Sequence, residues 1–320
     1  MFTYILCTLI GAALVLVGAD KLTDGAVGLA AHFGISEMVI GLTIVAFGTS
    51  LPEFIVSLLA SLSSDASATA LSVSNIVGSN LFNTLLIAGA SAAVYPINIS
   101  KATVHKDIPL CILASIILSS LAIDTLMAGG KHNLLTQGDG IVLLCFFAVF
   151  MAYSFSLAKQ KETRRAASPT PLSRIALSVV LGLVALIGGG KLFVEGACGI
   201  ARAAGVSEAV IGLTILAGGT SLPELATSIV AARKGQSALA IGNVVGSNIF
   251  NIFFILGVCA SVKPLSAIGL TAVDFAVLTA SSLLFWLFSR SSYKLSRWEG
   301  WTMILAYALY LGWLIINKNV

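Results

Sequence analysis

The sequence predicts an all-α polytopic membrane protein of about ten transmembrane helices, arranged as two inverted-topology five-helix repeats. Three observations carry this expectation. Of 320 residues, 58% are apolar and only 10% are Asp, Glu, Lys or Arg, where a soluble domain carries roughly 25% charged residues. Charge-free stretches recur that are long enough to cross a hydrocarbon core of about 30 Å, and the mean hydropathy is +1.00. Finally, the two halves of the chain repeat one another. At roughly 20 residues per span and about 10 per connection, helices use up the whole length, which excludes an ordinary cytosolic enzyme and places function inside the bilayer.

Apolar runs between charges and breakers place the spans near 2–19, 38–62, 68–94, 107–127, 138–158, 173–190, 208–232, 236–262, 271–289 and 299–316. The first run has neither a basic leading region nor a small-residue cleavage site before Asp20, so it is a helix of the mature chain and not a signal peptide. Runs one and six continue through DGAVGLAAHFG and EGACGIARAAG, small and apolar residues at helical spacing, so both helices should outrun their apolar cores. KQKETRRAASPTPLSR is the only long polar, proline-bearing segment. It divides the chain into a first repeat, 1–158, a cytoplasmic linker, 159–172, and a second repeat, 173–320.

The duplication is explicit. GISEMVIGLTIVAFGTSLPEF from Gly34 returns as GVSEAVIGLTILAGGTSLPEL from Gly205, an offset of 205 − 34 = 171. SNIVGSNLFNTLLIAG from Ser74 returns as GNVVGSNIFNIFFILG from Gly242, an offset of 242 − 74 = 168. Five spans per copy is an odd number, so the second copy enters the membrane upside down, as in many secondary transporters. With the linker cytoplasmic, Lys131, Lys191, Arg202, Lys263 and Lys318 are the 5 basic residues on the far side, and 18 − 5 = 13 lie on the linker side. The positive-inside rule therefore puts both termini outside, in a plasma (inner) membrane.

The net charge of +4 arises from 18 basic and 14 acidic residues placed at span ends, not on a basic face, so no nucleic-acid partner is expected. Cys7, Cys111, Cys145, Cys198 and Cys259 are odd in number and widely separated, which suits packing and neither a disulfide framework nor a metal cluster.

Chemistry concentrates on the repeated blocks. Glu53 is the only charge between Met38 and Ser64, and Glu224 the only one between Ala209 and Ala232. An ionisable residue deep in a span costs at least about 2.5–3.5 kcal/mol, so each is a functional-site candidate. Thr49 and Ser50, like Thr220 and Ser221, precede their glutamate by four and three residues and share its helical face. Pro52 and Pro223 remove a backbone donor inside the span, exposing the carbonyls of Gly48 and Gly219, a departure from helical geometry tolerated at membrane depth where it lines a cavity. The next span of each half adds a stripe at spacing four, Asn75, Ser79 and Asn83, then Asn243, Ser247 and Asn251. Two carboxylates among neutral oxygens suit Ca²⁺, which takes about 6–8 oxygens, or Na⁺, and do not favour zinc or copper. Asn80, Asn248, Gly78 and Gly246 are expected to serve helix packing, His32, His105 and His132 to be loop residues, and Asp20, Asp24 and Glu195 to be interfacial.

The paired GTSLPE and GSNxFN blocks, each after a GLT approach, resemble the two alpha-repeats of the sodium/calcium exchanger family within the Ca²⁺:cation antiporters, over essentially the full chain. The resemblance implies a midplane site surrounded by the second, third, seventh and eighth helices, with the long first and sixth helices sliding across it. It implies calcium held by Glu53, Glu224 and the carbonyls of Ala46 and Ala217, and sodium sites adding Thr49, Ser50, Ser79, Thr220, Ser221 and Ser247. It moves the exposed carbonyl two residues upstream of the one the prolines point to. Many members carry an aspartate where this chain has Asn251, which here forms a symmetric pair with Asn83. The short linker lacks the large regulatory domain of animal exchangers, so the chain is similar to a prokaryotic member.

The function expected is a secondary antiporter, not an enzyme, which exchanges Na⁺ for Ca²⁺ through one competed site and exports calcium. Its partners are these ions and the bilayer, with no prosthetic group and no soluble regulatory domain. The alternatives are an H⁺/Ca²⁺ exchanger, against which the hydroxyl-rich Thr-Ser pairs argue, and a cation channel using the same oxygens as a filter. A hydrolase built on Ser50 or Ser221 lacks a Lys or His base at span depth.

Overall fold

The structure, a computed structural model, describes residues 1–63, 66–123, 133–159, 170–205 and 217–317. Most of the linker, the 206–216 part of the second repeat block, Lys131, His132 and Lys318 lie outside the described residues.

Helix α1 is Phe2–Phe33, followed by a broken span made of α2, Glu37–Thr49, and α3, Leu51–Leu62. Then come α4, Thr69–Val94, α5, Thr103–Ala122, α6, Gln137–Ala158, and α7, Leu172–Ala203. A single turn, Ala217–Gly219, leads into α8, Leu222–Arg233, and the chain ends with α9, Ser237–Val262, α10, Ala272–Ser292, and α11, Arg297–Asn317. Among the described residues eight helices are each long and apolar enough to cross a membrane, and nine spans result when α2 and α3, bent by 49°, count as one. With α8, the repeat counterpart of α3, the chain is a ten-span polytopic protein of two inverted five-helix repeats.

The core is formed by the spans that carry the repeated blocks. In α4 and α9, 78% and 83% of the apolar stretch is buried inside the protein, against 17% in α6 and α11, which present their apolar sides outward. The 32-residue α1 and α7 do outrun their apolar cores, reaching about 48 Å at 1.5 Å per residue. They lie antiparallel along their length, Gly11 beside Gly189 and Gly18 beside Gly182. Glycine is required for that approach, since a Cβ at Gly18 would stand 2.7 Å from the Leu186 nitrogen and one at Gly182 would stand 2.6 Å from the Leu22 nitrogen.

Contacts between connections sort the two ends of the bundle. β1, Ile97–Asn98, pairs antiparallel with β4, Lys294–Leu295, which brings the α4–α5 and α10–α11 connections to one end. β2, Leu134–Leu135, pairs with β3, Leu265–Ser266, at the other end, where Lys263 Nζ also donates to the Ser63 carbonyl. These two-residue ladders were not foreseen by an all-helical reading, because two residues leave no period in a sequence.

The fourth span begins at Thr103 and not near 107, because its first turn is a π turn, Thr103–Asp107, containing Lys106 and Asp107. Hydropathy ends the span there, but Asp107 is buried and accepts a 2.8 Å hydrogen bond from the Tyr153 hydroxyl. Where the first repeat has TVHKD the second has TAVD, and the repeat offset falls from 264 − 96 = 168 at the shared proline to 274 − 107 = 167 at the shared aspartate. The additional residue is absorbed as the wider turn. All five cysteines are free thiols; Cys111, Cys198 and Cys259 are buried, whereas Cys145 is exposed on α6.

Candidate functional site

The SLPE tetrapeptide breaks the span and restarts it. α2 stops at Thr49, Ser50 leaves helical geometry at φ −83° and ψ 7°, and α3 begins at Leu51 with Pro52 in its first turn. There the missing proline N–H is no loss, because first-turn donors have no intrahelical partner. The span is broken, as the proline and glycine predict, but Pro52 sits in the first turn of the second helix and not inside the first. The second repeat does the same, with Ser221 at φ −90° and ψ 9° before Leu222, Pro223 and Glu224.

S-x-x-E is the spacing of a capping box, yet neither serine side chain caps its own helix. Ser50 Oγ donates instead to Glu224 Oε1 at 2.9 Å, and Ser221 Oγ donates to Glu53 Oε1 at 2.8 Å. Each helix start is thus tied to the glutamate of the other repeat. Glu53 and Glu224 are 1% and 0% exposed, third in their helices, where the N-terminal half of the helix dipole favours negative charge. The S-x-x-E spacing was the available signal for these helix starts.

The stripes of α4 and α9 close around this pair. Ser79 Oγ stands 3.0 Å from Glu53 Oε1 and 2.7 Å from Ser221 Oγ, so three oxygens form a triangle with edges of 2.7 to 3.0 Å. Thr49 Oγ1 lies 3.1 Å from Asn243 Oδ1 and 3.4 Å from the Ala46 carbonyl, which also accepts the Ser50 N–H at 3.0 Å. Asn243 Nδ2 donates to Ser228 Oγ at 2.9 Å, as Asn75 Nδ2 donates to Ser57 Oγ at 3.1 Å. Ala217 opens the turn before Ser221.

Asn83 and Asn251 sit in π turns, Phe82–Ile87 of α4 and Phe250–Leu256 of α9. Asn80 and Asn248, expected as packing residues, are hydrogen-bonded instead. Asn251 Nδ2 donates to Asn80 Oδ1 at 2.9 Å, Asn80 Nδ2 to the Asn248 carbonyl at 3.1 Å, and Asn248 Nδ2 to Thr84 Oγ1 at 2.7 Å. These amides clasp α4 to α9. Gly246 does serve packing, since a Cβ there would meet Ala46 Cβ and the Leu42 carbonyl at 2.7 Å.

Buried oxygens without any hydrogen-bond partner cluster in the residues named from the sequence. Six of the eleven found among the described residues are Glu53 Oε2, Glu224 Oε2, Thr220 Oγ1, Ser247 Oγ, Asn83 Oδ1 and Asn251 Oδ1; the others are on Ser91, Ser154, Thr227, Asn248 and Ser289. A buried polar atom left unpaired costs about 1–3 kcal/mol, and more when charged, so these residues are held in a costly arrangement that a cation would relieve. No ion pair to Glu53 or Glu224 occurs among the described residues, nor does any group of three His, Cys, Asp or Glu suited to a metal. The donor set is carboxylate plus neutral oxygen, which is hard-cation chemistry.

His32 and His105, expected in loops, are exposed as expected but helical, His32 in the last turn of α1 and His105 in the π turn that opens α5. Lys234, just after α8, pairs with Asp20 at 2.6 Å and Asp24 at 2.7 Å on α1, while Glu195, among the described residues, reaches Lys191 of its own helix at 4.0 Å. Partial desolvation pulls the Lys234 ammonium down, but hydrogen bonds and charge from Asp20 and Asp24 outweigh it and hold its pKa above the ordinary lysine value.

Residues 3–156 and 175–316 match the family model described as sodium/calcium exchanger protein. The chain is 36% identical over 316 residues to a putative antiporter, CaxA, of Alkalimonas amylolytica, covering 94% of this chain and 95% of that protein. It is 31% identical over 341 residues to the sodium/calcium exchanger MaX1 of Methanosarcina acetivorans, covering 96% and 97%. Its structure superimposes with a TM-score of 0.83 and 34% identity on the sodium-calcium exchanger NCX_Mj soaked with 2.5 mM Na⁺ and 0.1 mM Ca²⁺, over 97% of each chain.

Proposed function

This chain belongs to the sodium/calcium exchanger protein family and is a multi-pass membrane ion exchanger for Ca²⁺ and a counter-cation, and we propose that the counter-cation is Na⁺, that both ions compete for the oxygens around Glu53 and Glu224, and that the occupied site faces one side of the membrane at a time. The observation that carries this reading is the set of buried, unpartnered oxygens on residues supplied by both repeats. Calcium is held between Glu53 and Glu224, with the carbonyls of Ala46 and Ala217 as further ligands. Two carboxylates neutralise one Ca²⁺, and the lack of a third acid at Asn251 fits that charge balance.

Sodium takes the hydroxyl-lined positions. The triangle of Glu53 Oε1, Ser79 Oγ and Ser221 Oγ supports one such position, with Thr220 beside it. Its repeat counterpart draws on Glu224, Ser50, Thr49 and Ser247. Since the carboxylates serve both ions, binding of one expels the other. An empty site leaves two buried carboxylates unpaired, which disfavours crossing without a bound cation. If three Na⁺ replace one Ca²⁺, one net charge moves per cycle and the membrane potential contributes about 2.3 kcal/mol per 100 mV, which favours calcium export under an inward sodium gradient.

The same reading divides the chain into repeats 1–158 and 173–320 about a cytoplasmic linker at 159–172, with both termini outside an inner membrane. The interruption of the family match between 156 and 175 supports that division, and the excess of Lys and Arg on the linker side supports the orientation.

The test is ⁴⁵Ca²⁺ uptake into proteoliposomes loaded with Na⁺, compared with choline loading and with an imposed pH gradient. Uptake that requires internal Na⁺ and disappears in Glu53→Gln is expected. Uptake driven by the pH gradient and indifferent to Na⁺ would replace sodium with protons, and flux without any counter-ion would make the protein a channel.

A further inference from the structure

At the end of the bundle that carries the α4–α5 and α10–α11 connections, the β1–β4 pairing sets Asn98 opposite Lys294 and joins the Ile99 N–H to the Tyr293 carbonyl at 2.8 Å. This brings five cations onto one face, Lys101 and Lys106 at the start of α5, Arg290 at the end of α10, Lys294 in β4 and Arg297 at the start of α11. All five are exposed, and none forms an ion pair among the described residues.

The face is built, and is not a scatter of free side chains. Lys101 Nζ lies 5.6 Å above the Tyr293 ring, and the Arg290 guanidinium 5.1 Å above Trp286, whose indole N–H donates to the Val104 carbonyl at 2.9 Å. The carboxylates on the same elements are withdrawn from it. Asp107 is buried against the Tyr153 hydroxyl, and buried Glu299 accepts from the Ser296 N–H at 2.7 Å, Ser296 Oγ at 2.5 Å and Ser291 Oγ at 3.1 Å. Immediately below the cations the surface turns apolar, with Leu287, Trp298 and Trp301 exposed by 55 to 63%.

The repeat supplies an internal control. The corresponding segment of the second half, 263–270, reads KPLSAIGL, and its single cation, Lys263, is tethered to the Ser63 carbonyl. The fold therefore does not require charge in the α4–α5 connection, and the positive-inside bias asks only that Lys101 and Lys106 lie on the linker side, not that they stand unpaired beside Arg290, Lys294 and Arg297.

We propose that this face binds the headgroup of an anionic phospholipid, with the acyl chains lying along the exposed apolar sides of α10 and α11. The chemistry fits at both levels, since unpaired cations beside interfacial tryptophans attract a phosphate, and the N-termini of α5 and α11 add their partial positive charge. The surface carries no information about ion exchange and the proposal does not rest on it.

Thermal unfolding of the full chain in neutral detergent, titrated with phosphatidylglycerol or phosphatidylcholine, tests it. Wild type should show saturable stabilisation by phosphatidylglycerol only. The variant Lys101→Gln/Arg290→Gln/Lys294→Gln/Arg297→Gln should melt as wild type in phosphatidylcholine yet need at least about tenfold more phosphatidylglycerol. The single variant Arg290→Gln, which keeps the other cations, should give an intermediate shift, and Lys191→Gln, on α7 and away from this face, none. An unchanged phosphatidylglycerol response in the quadruple variant would overturn the proposal, as would equal stabilisation by phosphatidylcholine or by inorganic phosphate.

Discussion

The two repeats carry the same motif and bond it differently. In the first, Glu53 Oε1 receives two hydroxyls, Ser79 and Ser221, which also touch one another. In the second, among the described residues, Glu224 Oε1 receives Ser50, and Ser247, the counterpart of Ser79, has no partner. Thr49 reaches Asn243, while its counterpart Thr220 lies by Glu53 with no hydrogen bond of good geometry among the described residues. Sequence symmetry therefore does not impose symmetric occupancy of the hydrogen bonds. A site that must face two sides in turn needs two alternative arrangements of one donor set, and an inverted repeat provides them by exchanging the roles of its halves.

The largest expected effect leaves the comparison intact. Glu53→Gln and Glu224→Gln should each abolish ⁴⁵Ca²⁺ flux, by a hundredfold or more, because both carboxylates are needed to balance a divalent ion in low dielectric; substantial flux in either variant would mean that the halves are not equivalent in charge. Next come the exchanged serines. Ser221→Ala removes a donor to Glu53 and a neighbour of Ser79, and should raise the half-saturating Na⁺ concentration about tenfold, as expected for a hydrogen bond to a charged group worth about 1.5–3 kcal/mol. Ser50→Ala, with one bond, should raise it less; equal effects would show that the two arrangements interconvert freely in the ion-free protein.

A smaller effect separates Ser79 from Ser247. Without ions, Ser79→Ala should lower thermal stability by about 1 kcal/mol, whereas Ser247→Ala, which deletes a hydroxyl already unpaired, should be neutral or slightly stabilising. Saturating Na⁺ should bring the two variants together, and melting curves with and without Na⁺ measure this directly.

The smallest concerns the ion pair between Lys234 and α1, which the repeat-related positions cannot form. Lys191 and Ser63 occupy the repeat positions of Asp20 and Lys234. Lys234→Gln should cost at most about 1 kcal/mol, less at high salt, since the pair is partly exposed. The pKa of Lys234 is raised, so its stabilisation is complete below the unfolded lysine value and is lost only as pH rises through the higher folded value. Melting temperature differences between Lys234→Gln and wild type should thus stay constant from about pH 6 to 9; a difference that changes within that range would assign the coupling to another group.

Much of this protein was determined by its sequence. Span number, the long first and sixth helices, the repeat offsets and the two glutamates follow from hydropathy and self-similarity, because the bilayer penalises every unsatisfied polar group and leaves few exceptions unexplained. The S-x-x-E spacing, read there as one helical face, is also the signal of a helix start, although it does not say which glutamate its serine would serve. Only the tertiary structure decided that Ser50 and Ser221 exchange partners across the repeats, that Asn80 and Asn248 form a clasp where packing was expected, and that the TVHKD insertion becomes a π turn. It also decided that cations from three separate helix ends meet on one face. For the serines and asparagines the reason is that local sequence fixes which side-chain groups must be satisfied, but a hydroxyl or amide has many acceptors of nearly equal worth. Which one it takes depends on what the fold brings within about 3 Å of it.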